Sequence, residues 1–293
     1  MNRRKSFSSQ LHSSSAWSGQ GEEGWIHGRH AALAALANRG RHCRRLLVTN
    51  AMAGPVADII AGLQAQGYVL PPLEIVERAV IETIAPGGVH QGIAVQVSPL
   101  EPLPIDIVAE RASAHSQAVV VMLDQVTDPR NVGAVVRSAA AFDALAVVVQ
   151  ERHAPMETGT LAKAASGGLE TVPLVRAINL VRAIETLKDA GFWTVGLEAG
   201  ASLLLAETDL SGRIALVLGS EGRGLRRLVR IRCDSLARLP VTGKVGSLNV
   251  SSAATVALYE VACSRLATRQ APHRPAGVGG RGNLVDSTCT FGP

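Results

Sequence analysis

The sequence predicts an α/β protein in which helices cover both faces of a mainly parallel sheet, with a smaller α/β unit ahead of it. From residue 118 onward, continuous apolar runs alternate with helical patterns, and such runs are typical of parallel strands buried on both faces. Hydrophobic residues make up 47% of the 293 residues but aromatic residues only 3%, so Ala, Val, Leu and Ile must build the core. This length corresponds to about two domains of roughly 150 residues each.

The smaller unit covers residues 25–98 and combines short apolar runs with helical periodicity. Residues 99–117 contain three prolines followed by Ala, Ser and His, which predicts a linker with room for one short helix. The elements predicted for the unit are a helix over 27–38, a strand over 45–49, a helix over 56–66, and strands over 73–76 and 92–97.

The second unit, residues 118–270, repeats the order strand then helix. Such alternation is the pattern of crossover connections, which join parallel strands. Strands are predicted over 119–123, 145–150, 170–175, 192–197, 214–218 and 235–239. Helices are predicted over 131–142, 161–166 and 179–190, with a long final helix over 248–267.

No segment has the character of a secretory signal or a membrane anchor. Residues 1–24 are polar and rich in serine, and residues 271–293 are rich in glycine and proline, so both are predicted to be disordered. Apolar runs fall well short of the roughly 18 residues that cross a bilayer. The cysteines form no CxxC pair, which predicts reduced thiols in a cytoplasmic protein and no metal site. They are Cys43, Cys233, Cys263 and Cys289.

The net charge of +5 is weak evidence for a polyanionic partner, and the grouping of the arginines is stronger evidence. Grouped Lys and Arg side chains bind phosphates with release of counterions. A solvated helix face remains the alternative explanation for each group. The two groups are Arg39, Arg41, Arg44 and Arg45, and Arg223, Arg226, Arg227, Arg230 and Arg232.

Three segments place polar side chains directly after predicted strands, at the edge where α/β proteins bind ligands. The first, Asn131-Val-Gly-Ala-Val-Val-Arg137, opens a helix that Asp128 can cap and Pro129 can start. Unpaired N–H groups near Asn131 and Gly133 favour an anion, and Arg137 could hold a phosphate bidentately. A capped helix with a surface arginine explains the same residues equally well.

The second segment, Leu218-Gly-Ser-Glu-Gly-Arg-Gly224, is a strand followed by a glycine-rich turn and a helix. Its glycines do not fit G-x-G-x-x-G, and without a Lys-Ser/Thr pair it is not a P-loop. Glu221 inside the turn suits a hydroxyl, an amine or an arginine better than a phosphate. The alternative is a tight turn with an exposed glutamate.

The third segment, Leu239-Pro-Val-Thr-Gly-Lys-Val-Gly-Ser-Leu-Asn-Val-Ser-Ser252, runs from a strand through a polar loop into the long final helix. Ser247 and Asn249 stand near the start of that helix, and either could be its N-cap. We expect the cap at Ser247 rather than Asn249, because Ser247 already precedes Asn249 and two more serines follow.

Other catalytic patterns are missing from the sequence. It contains no G-x-S-x-G elbow, no H-E-x-x-H pair and no EF-hand loop. The histidines His27, His30, His42, His90 and His153 are scattered, and we interpret each as a packing or surface residue. Chemistry is therefore expected to depend on positioning, an arginine and a diffusible cofactor.

In this order and spacing, the three segments resemble the motifs of the SpoU (TrmH) family of RNA ribose 2′-O-methyltransferases, of the SPOUT superfamily, over roughly residues 118–267. Ile26-His-Gly-Arg-His-Ala-Ala-Leu-Ala-Ala-Leu36 and Val89-His-Gln-Gly-Ile-Ala94 resemble the RNA substrate-binding domain of one branch. That branch methylates a guanosine of 23S ribosomal RNA, and the tRNA-modifying branch generally lacks the domain.

The resemblance implies an α/β trefoil knot, in which the carboxyl-terminal segment threads through a loop, behind a front domain with an L30e-like fold. It implies S-adenosylmethionine as the cofactor, bound in the knot, and RNA as the substrate. It also implies a homodimer with active sites near the subunit interface, and neither a metal nor a membrane partner.

By motif position, Arg137 would be the catalytic arginine, and Asn131, Glu221, Ser247 and Asn249 would complete the site. Arg137 would hold the adjacent phosphate or accept the proton of the 2′-OH. We favour the positioning role, because a free arginine, with a pKa above about 12, is a poor base. The residues implied to bind the cofactor are Gly196, Leu218, Gly219, Leu239, Leu248 and Asn249.

The leading hypothesis is an RNA 2′-O-methyltransferase acting on a guanosine of 23S ribosomal RNA. One alternative is a tRNA ribose 2′-O-methyltransferase. Another is a non-catalytic RNA-binding or ribosome-assembly factor on the same scaffold. A nucleotide-dependent oxidoreductase is disfavoured because the spacing of the glycines fails.

Overall fold

The computed structural model describes residues 24–244 and 246–270, which form two β-sheets with helices around them. The disordered segments predicted at the two ends of the chain lie outside the described residues, except that Gly24 begins the first strand. The strands are β1 Gly24–His27, β2 Cys43–Val48, β3 Leu73–Ile75, β4 Ile93–Val97, β5 Ala118–Asp124, β6 Ala146–Gln150, β7 Leu174–Ala177, β8 Trp193–Leu197, β9 Leu203–Leu204, β10 Arg213–Gly219 and β11 Ser235–Arg238. The α-helices are α1 Arg29–Ala37, α2 Asn50–Ala65, α3 Arg78–Ile84, α4 Ile105–Ser113, α5 Pro129–Ala141, α6 Gly159–Ala165, α7 Leu180–Asp189, α8 Arg227–Arg232 and α9 Val250–Gln270.

The larger sheet has seven parallel strands in the order β7-β6-β5-β10-β8-β11-β9. Every residue of β5 is buried, as the continuous apolar run predicts. Successive side chains of β5 join two different hydrophobic clusters: Val119 and Val121 pack with α5 and α9, whereas Val120 and Met122 pack with α4 and α7. Helices therefore cover both faces, and the predicted parallel α/β sheet is confirmed.

The strand order brings the three polar segments to one edge of this sheet. Strand β10 lies between β5 and β8, and Gly219 at its end is in register with Asp124 at the end of β5. Strand β11 lies on the other side of β8. Because all these strands are parallel, the loops that follow them leave the sheet at the same edge, where open α/β sheets bind ligands.

The front unit is a four-stranded mixed sheet in the order β1-β4-β2-β3. Helix α1 packs on β1 and β4, and α6 of the second unit packs on β1 and α1. Ile26, Leu36 and Val95 of the front unit belong to the same hydrophobic cluster as Val132 and Leu161 of the second unit. The two units thus share one core instead of sitting on a flexible tether.

A buried ion pair reinforces this contact between the units. Arg41, whose side chain is fully buried, donates from Nη2 to Glu170 Oε1 at 2.7 Å and from Nε to both carboxylate oxygens. Asn38 Nδ2 also donates to Glu170 Oε2, at 2.7 Å. Glu157 Oε2 lies 3.9 Å from Arg41 Nη1, and burial raises the pKa of the Glu157 carboxyl. The buried charge of Arg41 in the front unit is thereby paired with a carboxylate of the second unit.

Two predicted elements differ from the structure, and three elements were not predicted. The predicted strand over 170–175 is wrong: residues Gly168–Glu170 form a 3-10 helix, Pro173 follows, and β7 begins only at Leu174. Helix α2 begins at Asn50, six residues before the prediction, with Pro55 inside it. Strands β1 and β9 and helix α3 were not predicted, because their few residues show too little periodicity. The short helix allowed for in the linker is present as α4.

The trefoil knot is a statement about how the carboxyl-terminal segment threads through a loop. The parallel sheet and the order of its strands agree with the implied fold class, and the threading itself stays a prediction.

Candidate active site and a second, basic cavity

Glu221 lies at the centre of a hydrogen-bond network that joins the three polar segments. Its Oε1 accepts hydrogen bonds from Asn131 Nδ2 at 3.2 Å, from Asn249 Nδ2 at 2.6 Å and from the Val250 N–H at 3.4 Å. Asn249 Nδ2 also donates to Asn131 Oδ1 at 3.0 Å. The network therefore holds the starts of α5 and α9 against the glycine-rich turn.

Asn249, and not Ser247, caps helix α9. Asn249 Oδ1 accepts hydrogen bonds from the Ser251 N–H at 2.9 Å and from the Ser251 hydroxyl at 2.6 Å, as an N-cap does. Our expectation that Ser247 would be the cap is wrong. Ser247 is exposed in the preceding loop and lines a cavity.

This cavity, of about 470 Å³, opens beside the Glu221 network at the carboxyl ends of β8, β10 and β11. Residues 197–200 and Arg238 contribute to its walls, and the sequence reasoning had not singled them out. Six of the predicted site residues line it. They are Leu218, Gly219, Glu221, Leu239, Ser247 and Leu248.

At Gly219 the main chain folds back so closely that no side chain fits. A Cβ built there would lie 2.1 Å from Gly224 C and 2.4 Å from Leu225 N. Ser220 and Gly224 form a bridge across the turn, and Gly222 and Gly224 have positive φ of 80° and 63°. The glycine spacing that fails as a dinucleotide motif thus builds a tight turn whose main chain lines the cavity.

Gly196, predicted to bind the cofactor, is not among the described residues that line the cavity. It is buried in β8, and a Cβ there would lie 2.8 Å from Leu236 Cδ2, 2.9 Å from Leu225 Cδ1 and 3.1 Å from Cys233 Sγ. The structure therefore gives Gly196 a packing role beneath the cavity wall. Asn249 is also outside the lining and reaches the cavity only through its bond to Glu221.

Arg137 does not belong to this cavity either, as far as its described lining shows. It lies on a different face of α5 from Ser138, which meets Thr255 of α9 at 2.6 Å between hydroxyl oxygens. Arg137 instead packs next to Gly168: a Cβ built on Gly168 would lie 3.3 Å from the Arg137 Cα. In the part of the chain that the structure describes, no hydrogen bond joins Arg137 to the Glu221 network.

The exposed Arg137 side chain lines a second cavity, of about 530 Å³, between the two units. Strand β1 supplies Trp25 and His27, and the end of α3 with the turn after it supplies residues 84–88. Arg130 of α5 and Lys163 of α6 complete its basic lining. His27 was interpreted from the sequence as a packing or surface residue. It is 8% exposed, as a packing residue is, and it also borders this cavity.

The signal that could have pointed to His27 is weak. Gly28 directly follows His27, and Gly92 lies two positions after His90; both glycines have positive φ. Glycine at such positions often marks a close backbone approach. Without the fold, nothing shows that these two stretches meet.

Gly133 serves helix packing, although the sequence suggested an anion-binding turn. A Cβ on Gly133 would lie 2.6 Å from both Ala164 Cβ and Leu161 O, so α6 already occupies that side of α5. The predicted start of α5 is confirmed: Asp128 accepts a hydrogen bond from the Arg130 N–H at 2.9 Å, and a proline follows it.

Most arginines of the two sequence groups pair with carboxylates of the same chain. Such pairs lower the positive charge that these groups offer to a phosphate, so the groups are weaker evidence for RNA than their spacing suggests. The pairs are Arg41–Glu170, Arg45–Glu74, Arg226–Asp124, Arg230–Glu198 and Arg232–Glu185.

Within residues 24–244 and 246–270, no three His, Cys, Asp or Glu side chains form a group that could hold a metal ion. Nor does any helix in these ranges combine the length and apolarity needed to cross a membrane. Cys43, Cys233 and Cys263 are free thiols. Burial raises the pKa of Cys43 to about 11 and that of Cys233 to about 12, so both stay protonated at neutral pH.

Comparison with protein families defines the class of this protein. Residues 25–103 match a family described as RNA 2′-O ribose methyltransferase substrate binding, and residues 118–259 match the SpoU rRNA Methylase family. Together with the fold, these matches define a methyltransferase with a substrate-binding domain in front. The chain belongs to the SpoU rRNA methylase family, which confirms the resemblance seen in the three motifs.

Two relatives illustrate how much of the chain this kinship covers. The 23S rRNA (guanosine-2′-O-)-methyltransferase RlmB of Vibrio vulnificus is 37% identical over 250 residues, which cover 84% of this chain and 98% of RlmB. An uncharacterised tRNA/rRNA methyltransferase of Synechocystis is 38% identical over 239 residues. That match covers 80% of this chain and 61% of the relative.

Solved structures support the fold. A crystal structure of an RNA 2′-O ribose methyltransferase superposes with a TM-score of 0.66 at 24% identity, covering 83% of this chain and 89% of that chain. The SpoU methyltransferase AviRb from Streptomyces viridochromogenes, in complex with AdoMet, gives a TM-score of 0.66 at 23% identity. That match covers 83% of this chain and 91% of AviRb.

Proposed function

We propose that this protein transfers a methyl group from S-adenosylmethionine to the ribose 2′-OH of a guanosine in 23S ribosomal RNA. The observation that carries the proposal is the cavity beside Glu221, which is built by the three family motifs at one edge of the parallel sheet. The RlmB relatives, which share both domains, support the choice of a ribosomal guanosine. We expect a protein with this substrate to act in the cytoplasm.

The cavity fits the cofactor in size and in character. Its volume of about 470 Å³ is typical of small-ligand sites, which span roughly 300–1,000 Å³. The closed turn at Gly219 keeps side chains out, and nothing lies within 4 Å of a Cβ built on Gly222 or Gly224, so main-chain groups are accessible there. We expect Leu218, Gly219, Leu239 and Leu248 to hold the cofactor. When bound, it supplies a methyl group activated by its sulfonium.

The protein's own part in the reaction is to position the 2′-OH and to assist loss of its proton. Glu221 contributes by fixing Asn131 and Asn249 in place, because its Oε1 accepts hydrogen bonds from both side chains and from the Val250 N–H. Arg137 carries the remaining role, which is to hold the phosphate beside the reacting ribose, where correct approach alone contributes several kcal/mol, up to about 7–11.

A homodimer explains why Arg137 and the cofactor cavity are separate in one chain. Two subunits related by a two-fold axis would bring the Arg137 of one to the cofactor cavity of the other. Helix α9 and the loop before it expose apolar side chains that such an interface would cover: Leu248 is 40% exposed, Val256 41% and Tyr259 57%.

The first prediction separates a cofactor-binding enzyme from a non-catalytic RNA-binding factor. The wild-type protein is expected to bind S-adenosylmethionine in calorimetry, and Gly219→Ala is expected to abolish binding, because its Cβ would collide with the Gly224 backbone. Gly212→Ala is the matched control. It lies just before the same strand, has open space around its Cβ, and should leave binding unchanged.

Loss of binding in both glycine variants would indicate general damage to β10. Failure of the wild-type protein to bind the cofactor, with and without RNA, would contradict the proposed enzyme and favour the non-catalytic factor.

A further inference from the structure

The second cavity lies between the front unit and the second unit and has a volume of about 530 Å³. Residues of β1 and of the turn after α3 form one wall, and residues of α5 and α6 form the other. Arg137 is part of its lining, and none of the described lining residues belongs to the hydrogen-bond network around Glu221. The residues that line this cavity are therefore free to bind a part of the substrate other than the one beside Glu221.

Three cations face this cavity and no carboxylate does. Arg130, Arg137 and Lys163 all belong to its described lining, which contains no Asp or Glu. Among the described residues, none of their side chains makes an ion pair or hydrogen bond within the protein. This contrasts with the arginine groups found in the sequence, which are largely neutralised. Unpaired cations gathered in one cleft favour an anionic ligand such as a phosphate.

His27 adds a neutral polar group that lacks a partner. Its side chain is only 8% exposed, yet its buried Nδ1 has no hydrogen-bond partner. Burial, with the charge of Lys163 and the nearby His90 as smaller causes, lowers the pKa of His27 to about 4. The ring is therefore neutral at physiological pH and offers one donor and one acceptor. Because Nδ1 itself is enclosed by protein, a ligand in the cavity would meet the face or the other edge of the ring.

The close fit around His27 keeps its ring in place. A Cβ on Gly88 would lie 3.0 Å from His27 Cε1, and a Cβ on Gly159 would lie 3.2 Å from His27 Nε2 and 2.8 Å from the Trp25 carbonyl oxygen. Both glycines line the cavity beside the half-buried Trp25 side chain. An aromatic ring next to cations is the combination that binds unpaired nucleotides, whose bases stack while their phosphates bind the charges.

We propose that the cavity between the two units binds one unpaired nucleotide of the RNA, with its base against Trp25 and His27 and its phosphates at Arg130, Arg137 and Lys163. The inference rests on the proposed function and extends it: the front unit does not merely attach RNA but forms half of a nucleotide pocket. Because Arg137 lies in the same cavity, the bound phosphate is the one that positions the neighbouring ribose for methylation.

Thr160 offers a test that leaves the machinery intact. It is exposed on the cavity wall in the first turn of α6, where a carboxylate is well tolerated by the helix. Thr160→Glu places a negative charge among the three cations and is expected to raise the KM for ribosomal RNA about tenfold or more at low salt. Thr160→Gln, which has the size of the Glu variant but no charge, is the control for bulk, and its KM should be lower than that of Thr160→Glu by about the same factor.

Tryptophan fluorescence gives an independent readout on the folded protein. The chain has three tryptophans, and replacing Trp17 and Trp193 by Phe leaves Trp25 as the only reporter. A short single-stranded RNA oligonucleotide is expected to quench Trp25 emission on binding, because the base stacks on the ring. The reciprocal variant, with Trp193 as the reporter, should not respond, since Trp193 lies on β8 away from the cavity.

The two proposals fail in different ways. A protein that binds the oligonucleotide with Trp25 quenching but transfers no methyl group would retain the nucleotide pocket and lose the proposed function. An active wild-type enzyme whose KM for RNA is the same in Thr160→Glu and Thr160→Gln, and whose Trp25 emission is unchanged at saturating RNA, would overturn the pocket.

Discussion

Replacing Arg137 by alanine is expected to reduce methyl transfer by at least about 10²–10³-fold, the cost of removing one group that acts on the transition state. Affinity for S-adenosylmethionine should be unchanged, because Arg137 does not line the cavity beside Glu221. Single-turnover methylation and calorimetry measure the two effects on the same variant. Arg182→Ala, another exposed arginine on a helix surface, is the matched control and should behave as wild type.

Wild-type turnover in Arg137→Ala would show that the role carried over from the family motif is wrong for this chain.

Mixing two inactive variants tests whether the site is shared between two subunits. If the Arg137 of one subunit acts at the cofactor cavity of the other, a mixed dimer of Arg137→Ala and Gly219→Ala has one working site. Half of the dimers in a re-assembled equal mixture are mixed, so the mixture should regain about a quarter of wild-type activity. No recovery in proven mixed dimers would place all groups of the site on one chain.

Replacing Arg41 by methionine is expected to lower the free energy of unfolding by about 3–5 kcal/mol, because it leaves the buried Glu170 without its cation. The loss should appear in chemical denaturation. Glu157 also faces Arg41, so its carboxyl group would lie beside the space that the arginine side chain leaves. Since this pair joins the two units, the same variant should also separate their unfolding transitions.

Arg45 provides the control for this stability effect. Its pair with Glu74 is similarly close, 2.7 Å between Nη2 and Oε2, but the two side chains are 45% and 37% exposed. Arg45→Met should therefore cost less than about 1 kcal/mol. Replacing both Arg41 and Glu170 by methionine should recover part of the loss, because the carboxylate closest to Arg41 is removed with it and only Glu157 stays near the gap. A double variant as unstable as Arg41→Met alone would contradict the electrostatic explanation.

The sheet of the second unit was predictable from the sequence because buried parallel strands leave a strong signal. Runs such as Val119 to Leu123 and Ile214 to Leu218 are apolar at every position, and both strands are buried in the structure. The elements that escaped detection are short: β1, β9 and α3 lie on the edge of a sheet or in a connection, and their residues also fit a loop.

The site was predictable only as far as local patterns reach. Glycines and amide side chains in the sequence predicted that the turn around Gly219 and the loop before α9 belong to the site. In the structure both segments meet at Glu221. Which face of α5 carries Arg137 depends on the packing of α6 and α9 against that helix, which no local pattern records. The cavity with Trp25 and His27 depends on contacts between two units far apart in sequence.

Mapping ribose methylation in 23S ribosomal RNA from a strain lacking this gene tests the central claim most directly. One guanosine is expected to lose its 2′-O-methyl group, to regain it when the wild-type protein is supplied, and to stay unmethylated when Arg137→Ala is supplied. A full set of ribose methyl marks in 23S ribosomal RNA of the deletion strain would contradict the account.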